Sequence, residues 1–168
     1  MNLSGGIFRP GMRAYFIPLA AGMVLTASAF LPWVVVGTES MNGVPDVPAL
    51  WVAGLGALAA VLALLSLITR RNSRHPLLII GLFALGITFL SSRIMPRAAG
   101  ERALTVSQAF AIVENAPLGA TPVAVVGFGL YIGVVASAVL VAFGLTIVVK
   151  RVGAAKPYVV VSQDDDVE

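Results

Sequence analysis

His75 is the only histidine in this 168-residue chain, cysteine is absent, and the carboxylates are Glu39, Asp46, Glu101, Glu114, Asp164, Asp165, Asp166 and Glu168. Acid–base, nucleophilic or metal chemistry would have to be assembled from these groups. One imidazole excludes a bis-histidine haem and a three-histidine zinc site, and no thiolate can stand in for the missing nitrogens. A serine nucleophile needs a base within hydrogen-bond reach, and His75 falls in a short turn on the side opposite the longer polar loops. Proton relays and ion-coupled transporters bury Asp, Glu, His or Arg inside the membrane, whereas every carboxylate here lies outside the apolar runs. Gly54, Gly56 and Ala59 match the dinucleotide fingerprint as a string. They lie inside an apolar run, where no strand-to-helix turn would present N–H groups to a pyrophosphate. The expectation is a non-enzyme with no cofactor and no metal.

The elements that carry these residues are set by composition. Hydrophobic residues make up 58% of the chain, charged residues only 11%, and mean hydropathy is +0.96. Soluble domains carry about 25% charged residues, so a water-soluble enzyme domain is excluded and a polytopic membrane protein is expected. Crossing about 30 Å of hydrocarbon takes roughly 20 helical residues. Four runs qualify, at about 16–36, 50–69, 76–92 and 122–149. Pro76 suits a first helical turn, Arg93 and Pro96 close the third run, and Thr121 with Pro122 opens the fourth. The expected fold is therefore an all-α, left-handed four-helix transmembrane bundle spanning 16–149, between an N-terminal segment 1–15 and a tail 150–168. A basic start followed by Ala27-Ser28-Ala29 resembles a cleavable signal peptide. The apolar run continues past those small residues, which favours an uncleaved anchor.

Orientation follows from Lys and Arg near the span ends, which are retained on the cytoplasmic side. Arg9, Arg13, Arg70, Arg71, Arg74, Lys150, Arg151 and Lys156 share one side, and only Arg93, Arg97 and Arg102 fall on the other. Both termini are expected to be cytoplasmic, in a bacterial inner membrane. The basic residues flank spans and form no aromatic-interleaved stripe, so no nucleic-acid partner is expected. In this general layout the chain resembles small bacterial four-helix membrane proteins, a resemblance that implies topology and no activity.

Outside the spans, residues 37–49 hold Asn42-Gly43, Pro45 and Pro48, a turn composition. Val34 to Val36 would pair with Val44 to Val47 as a short external hairpin. Trp33 and Trp51 flank this loop as interface anchors, with ring bodies among acyl chains and N–H groups near water. In residues 94–120, Val106, Phe110 and Val113 fall on one face of a short amphipathic helix that Pro117 and Gly119 terminate. Arg93 and Arg97, with Arg102 beyond, are candidate contacts for a lipid headgroup or another anion. Close helix approach in lipid depends on small residues four apart. Gly129, Gly133 and Ser137, with Gly144 further on, form such a seam. Tyr158 to Val161 reads as a strand former suited to pairing with a partner's sheet edge. The partners expected are the bilayer and either a membrane protein or a second copy. The function expected is a non-catalytic accessory or assembly subunit. The alternatives are a homo-oligomeric channel or transporter lined by Thr26, Ser28, Thr88 and Tyr131, and an external-face sensor or binding module.

Overall fold

A computed structural model describes residues 14–69, 73–115 and 123–152. The apolar run expected to cross as one helix over 16–36 divides in two. Helix α1 (Phe16–Ser28) is only 13 residues long, about 20 Å at 1.5 Å per residue. The N–H groups of Ala29, Phe30 and Leu31 bond back to the carbonyls of Thr26, Ala27 and Ser28, which tightens and ends the helix. Pro32 has no N–H to continue it, and Val34, Val35 and Val36 are stiff β-branched residues that favour a strand. The chain goes on as β1 (Pro32–Val36).

A two-residue turn at Gly37 and Thr38 leads into β2 (Glu39–Asn42). Gly37 has φ +60°, as the first position of a type II′ hairpin turn requires. The hairpin pairs Val34 with Met41, Val35 with Ser40 and Val36 with Glu39. The partner strand thus ends at Asn42, where the sequence suggested one running from Val44 to Val47. A third strand, β3 (Ala124–Val126), pairs antiparallel on the other edge of β1, giving the order β2-β1-β3. It takes residues expected to be helical, and the last helix starts at Phe128, six residues after the start expected at 122.

Helix α2 (Val47–Thr69), helix α3 (Arg74–Glu114) and helix α4 (Phe128–Val152) follow. All three are long and apolar enough to cross a membrane. Each helix packs on the next in sequence, and α4 returns to α1 to close the ring. Among the described residues the protein is mostly helical, with four helices and a small antiparallel sheet at the end where α1 stops and α4 begins.

Helix α3 departs furthest from expectation. Pro96 does not stop it, and the third run and the separate amphipathic helix are one 41-residue element, about 61 Å long. Arg74 and Arg93 bracket about 28 Å of it, close to one hydrocarbon thickness. Some 20 residues continue beyond Arg93, to Asn115. That residue sits at φ 51° and gives its N–H to the carbonyl of Ala111 as a left-handed C-cap.

Candidate functional site

The seam expected on α4 packs within this chain. A Cβ on Gly133 would stand 3.1 Å from Ser28 Oγ and 3.2 Å from Thr88 Cγ2, and one on Gly129 2.8 Å from Pro32 O. One on Gly144 would stand 2.7 Å from Leu78 Cα, while Ser137 is buried and donates to the carbonyl of Val134 at 2.9 Å. The α1–α2 crossing is as tight. A Cβ on Gly22 would meet the Ala60 N at 2.7 Å, and one on Gly56 the Thr26 N at 2.7 Å. Gly54 and Gly86 differ, with open space around the position a Cβ would take.

The hydroxyls considered as a pathway are bonded to backbone. Ser28 donates to Leu25 O at 2.7 Å, Thr88 to Ala84 O at 2.8 Å and Thr26 to Gly22 O at 3.0 Å. Each is turned back onto its own helix, the usual way a hydroxyl is satisfied inside an apolar segment, and Thr26 also reaches Ala53 O of α2 at 3.4 Å. Tyr131 points away from them, into an outward-facing apolar groove of about 570 Å³ between α1 and α4, shared with Ile17, Ala20, Val24 and Val135.

The two tryptophans have separate fates. Trp51 is 63% exposed, in a hollow between α2 and α3 with Leu90, Ile94 and Met95. Trp33 is fully buried and gives its indole N–H to the carbonyl of Ser28 at 2.9 Å. Expected as an interface anchor, it is turned inward by β1 under Gly43, where an added Cβ would stand 2.7 Å from the ring. At the opposite end, Tyr15 meets the edge of Phe143 with ring centroids 5.3 Å apart. Arg74 covers that Phe143 ring at 5.6 Å and reaches Thr146 Oγ1 at 3.4 Å. The sequence offers no local signal for this cluster, since its members lie on three separate segments.

Arg93 and Arg97 stand about one turn apart on the continuous α3, and Arg102 stands away from both. At about 100° per residue, Arg102 lies roughly half a turn from Arg93 and about 140° from Arg97. Arg97 pairs with Glu101 at 3.1 Å, with both side chains well exposed. Such a bridge contributes a few tenths of a kcal/mol, about 0.3–0.5. Arg93 lies over the Phe89 ring at 5.7 Å. Among the described residues no group of three His, Asp or Glu side chains could hold a metal ion. The basic residues at 9, 13, 70, 71 and 156, the helix cap expected at Thr121 and Pro122, the terminators Pro117 and Gly119, and the strand-forming tail segment lie outside the described residues.

What the geometry does bring together is one face of α3. Ala84, Thr88 and Ser91 are buried in the bundle, and Met95 and Ala99 pack partly against its core. Val106 stands about five turns above Thr88 on the same face, with Phe110 and Val113 beside it. There the covering ends: Val106, Phe110 and Val113 are 54%, 62% and 83% exposed. The face that packs helices inside the molecule runs on as an apolar stripe with nothing over it among the described residues. The spacing was visible in the sequence, but taking Pro96 as a stop hid the continuity. No family model, curated protein or solved structure matches the chain.

Proposed function

We propose that this protein is a non-catalytic accessory or assembly subunit of a larger membrane complex, docking through the part of α3 that stands beyond the sheet. The observation that carries the reading is the inward face of α3, used for helix packing from Ala84 to Ala99 and continued as exposed Val106, Phe110 and Val113. Exposed apolar surface in contact with water is unfavourable in proportion to its area, and contiguous patches of it mark protein or membrane contacts. The distribution of basic residues supports a reading in which both termini are cytoplasmic, in a bacterial inner membrane, and the sheet with the α3 extension lies outside.

The chemistry of the interior supports the same class. Buried hydroxyls are bonded to backbone carbonyls, α3 carries no ionisable side chain between His75 and Arg93, and Tyr131 faces outward. These features weigh against a channel or transporter lined by Thr26, Ser28, Thr88 and Tyr131. The separation of Arg102 from Arg93 and Arg97, and the pairing of Arg97 with Glu101, weigh against an external anion sensor built from all three.

The test is recovery of partner protein with the tagged chain in mild detergent, comparing wild type with a Val106→Asp, Phe110→Asp variant. Stoichiometric recovery with wild type, lost in a variant that still purifies at its normal yield, supports the reading. Equal recovery with both, or none with either, contradicts it.

A further inference from the structure

The exposed stripe is more specific than an apolar patch. Arg102, Val106, Ala109 and Val113 follow one another at intervals of three and four, the spacing of a seam between parallel or antiparallel helices. Ala109 is small enough to admit another helix closely, Val106 and Val113 are branched knobs, and Phe110 flanks them. Arg102 stands within this seam. Glu101, its neighbour in sequence, is held by Arg97 on another face, and among the described residues no carboxylate pairs with Arg102. An arginine inside an apolar seam is tolerated when the facing helix supplies a carboxylate, and a mismatch there selects against wrong partners.

That charge decides between occupants. A second copy inserted the same way would bring its α3 alongside in parallel, and the two-fold axis would set Arg102 against Arg102. Like charges facing one another in a seam repel. A different chain with an Asp or Glu at that level removes the conflict and gains a charge-assisted, bidentate contact.

We infer that the extension of α3 is one half of a heterologous helix pair, whose other half is a helix of a different membrane protein. That helix stands out of the bilayer on the sheet side, apolar along one face and bearing a carboxylate opposite Arg102. This inference rests on the accessory-subunit reading and adds the chemistry of the partner to it.

The experiment places a photo-crosslinking phenylalanine analogue at Val106 or Val113, or at Gln108 on the far face, in the full chain in its native membrane. Cross-linked peptides are identified by mass spectrometry, with and without Arg102→Glu. The expected result is cross-linking from Val106 and Val113, at least tenfold above that from Gln108, to a helical segment of another membrane protein carrying Asp or Glu. Arg102→Glu lowers the yield tenfold or more, and reversing the partner's carboxylate to Arg restores it. Cross-links mainly to a second copy, to lipid alone, or to another protein in a yield indifferent to Arg102→Glu overturn the inference. Arg102 is exposed, so normal accumulation of the variant separates a lost contact from a lost fold. If the broader reading is at fault, no other protein accompanies the wild-type chain in mild detergent. If only the present inference is at fault, a partner accompanies it but cross-links elsewhere or without regard to charge.

Discussion

The indole N–H of Trp33 meets the carbonyl of Ser28 at 2.9 Å, so the first residues of β1 are fastened to the last turn of α1. Both residues are fully buried, and the Ser28 carbonyl also accepts the Leu31 N–H at 3.3 Å. One contact therefore sets where the helix ends and where the sheet begins. Trp33→Phe keeps a ring but removes the donor, and should cost about 1–3 kcal/mol. Trp33→Ala should cost about 3–5 kcal/mol. Thermal unfolding in detergent measures both, and a Trp33→Ala midpoint equal to that of wild type would contradict the buried placement.

Two pairs of glycines should respond oppositely to alanine. At Gly22 and Gly56 the added methyl meets backbone of the facing helix below 3 Å, and separating α1 from α2 should cost about 1–3 kcal/mol. At Gly54 and Gly86 the methyl meets nothing, and the better helix propensity of alanine should stabilise by up to about 1 kcal/mol. Denaturation of the four purified single variants checks the contrast, which fails if Gly54→Ala is as damaging as Gly56→Ala.

Removing interior hydroxyls should do little. Ser28→Ala and Thr88→Val each delete a bond to the same helix and orphan no donor, so each should shift stability by about 1 kcal/mol or less. Ion and small-solute flux through proteoliposomes should remain at the level of empty vesicles for wild type and both variants. Flux above that background which falls in Thr88→Val would instead favour a pore.

Pro96 sits inside a continuous helix and denies the carbonyl of Ser92 its helical donor. Pro96→Ala should therefore stabilise, by up to about 3 kcal/mol, with helix content unchanged or slightly raised. Loss of helical circular dichroism in this variant would contradict the single α3.

Composition and the spacing of apolar runs were enough to read a membrane protein and the body of α2, because about 20 uncharged residues bounded by charge admit few other structures. The same cue fails at residues 124–126, whereas at Val34 to Val36 the strand is legible and its partner is not. An uninterrupted apolar run does not distinguish a buried strand from a buried helix, so Val125 and Val126 read as span. Pro96 misled for the opposite reason. A proline removes one hydrogen bond and crowds the preceding turn, and a long helix can bear that loss where the freed carbonyl finds another partner. Gly133 and Gly144 were legible as packing residues because small side chains spaced by four are what close helices need. Their targets, Ser28 and Leu78, are set by the ring closure of α4 onto α1 and α3, which no local pattern encodes. Arg93 and Arg97 keep the one-turn spacing legible in the sequence, and the 100° step of the helix carries Arg102 away from them.

Native mass spectrometry of the tagged full-length chain, extracted from its own membrane in mild detergent, tests the accessory-subunit account most directly. The account predicts a defined assembly containing at least one different membrane protein in fixed ratio. That assembly should dissociate to the chain alone when Val106 and Phe110 are both replaced by Asp. A wild-type spectrum showing only the monomer, or only copies of this chain, would contradict it.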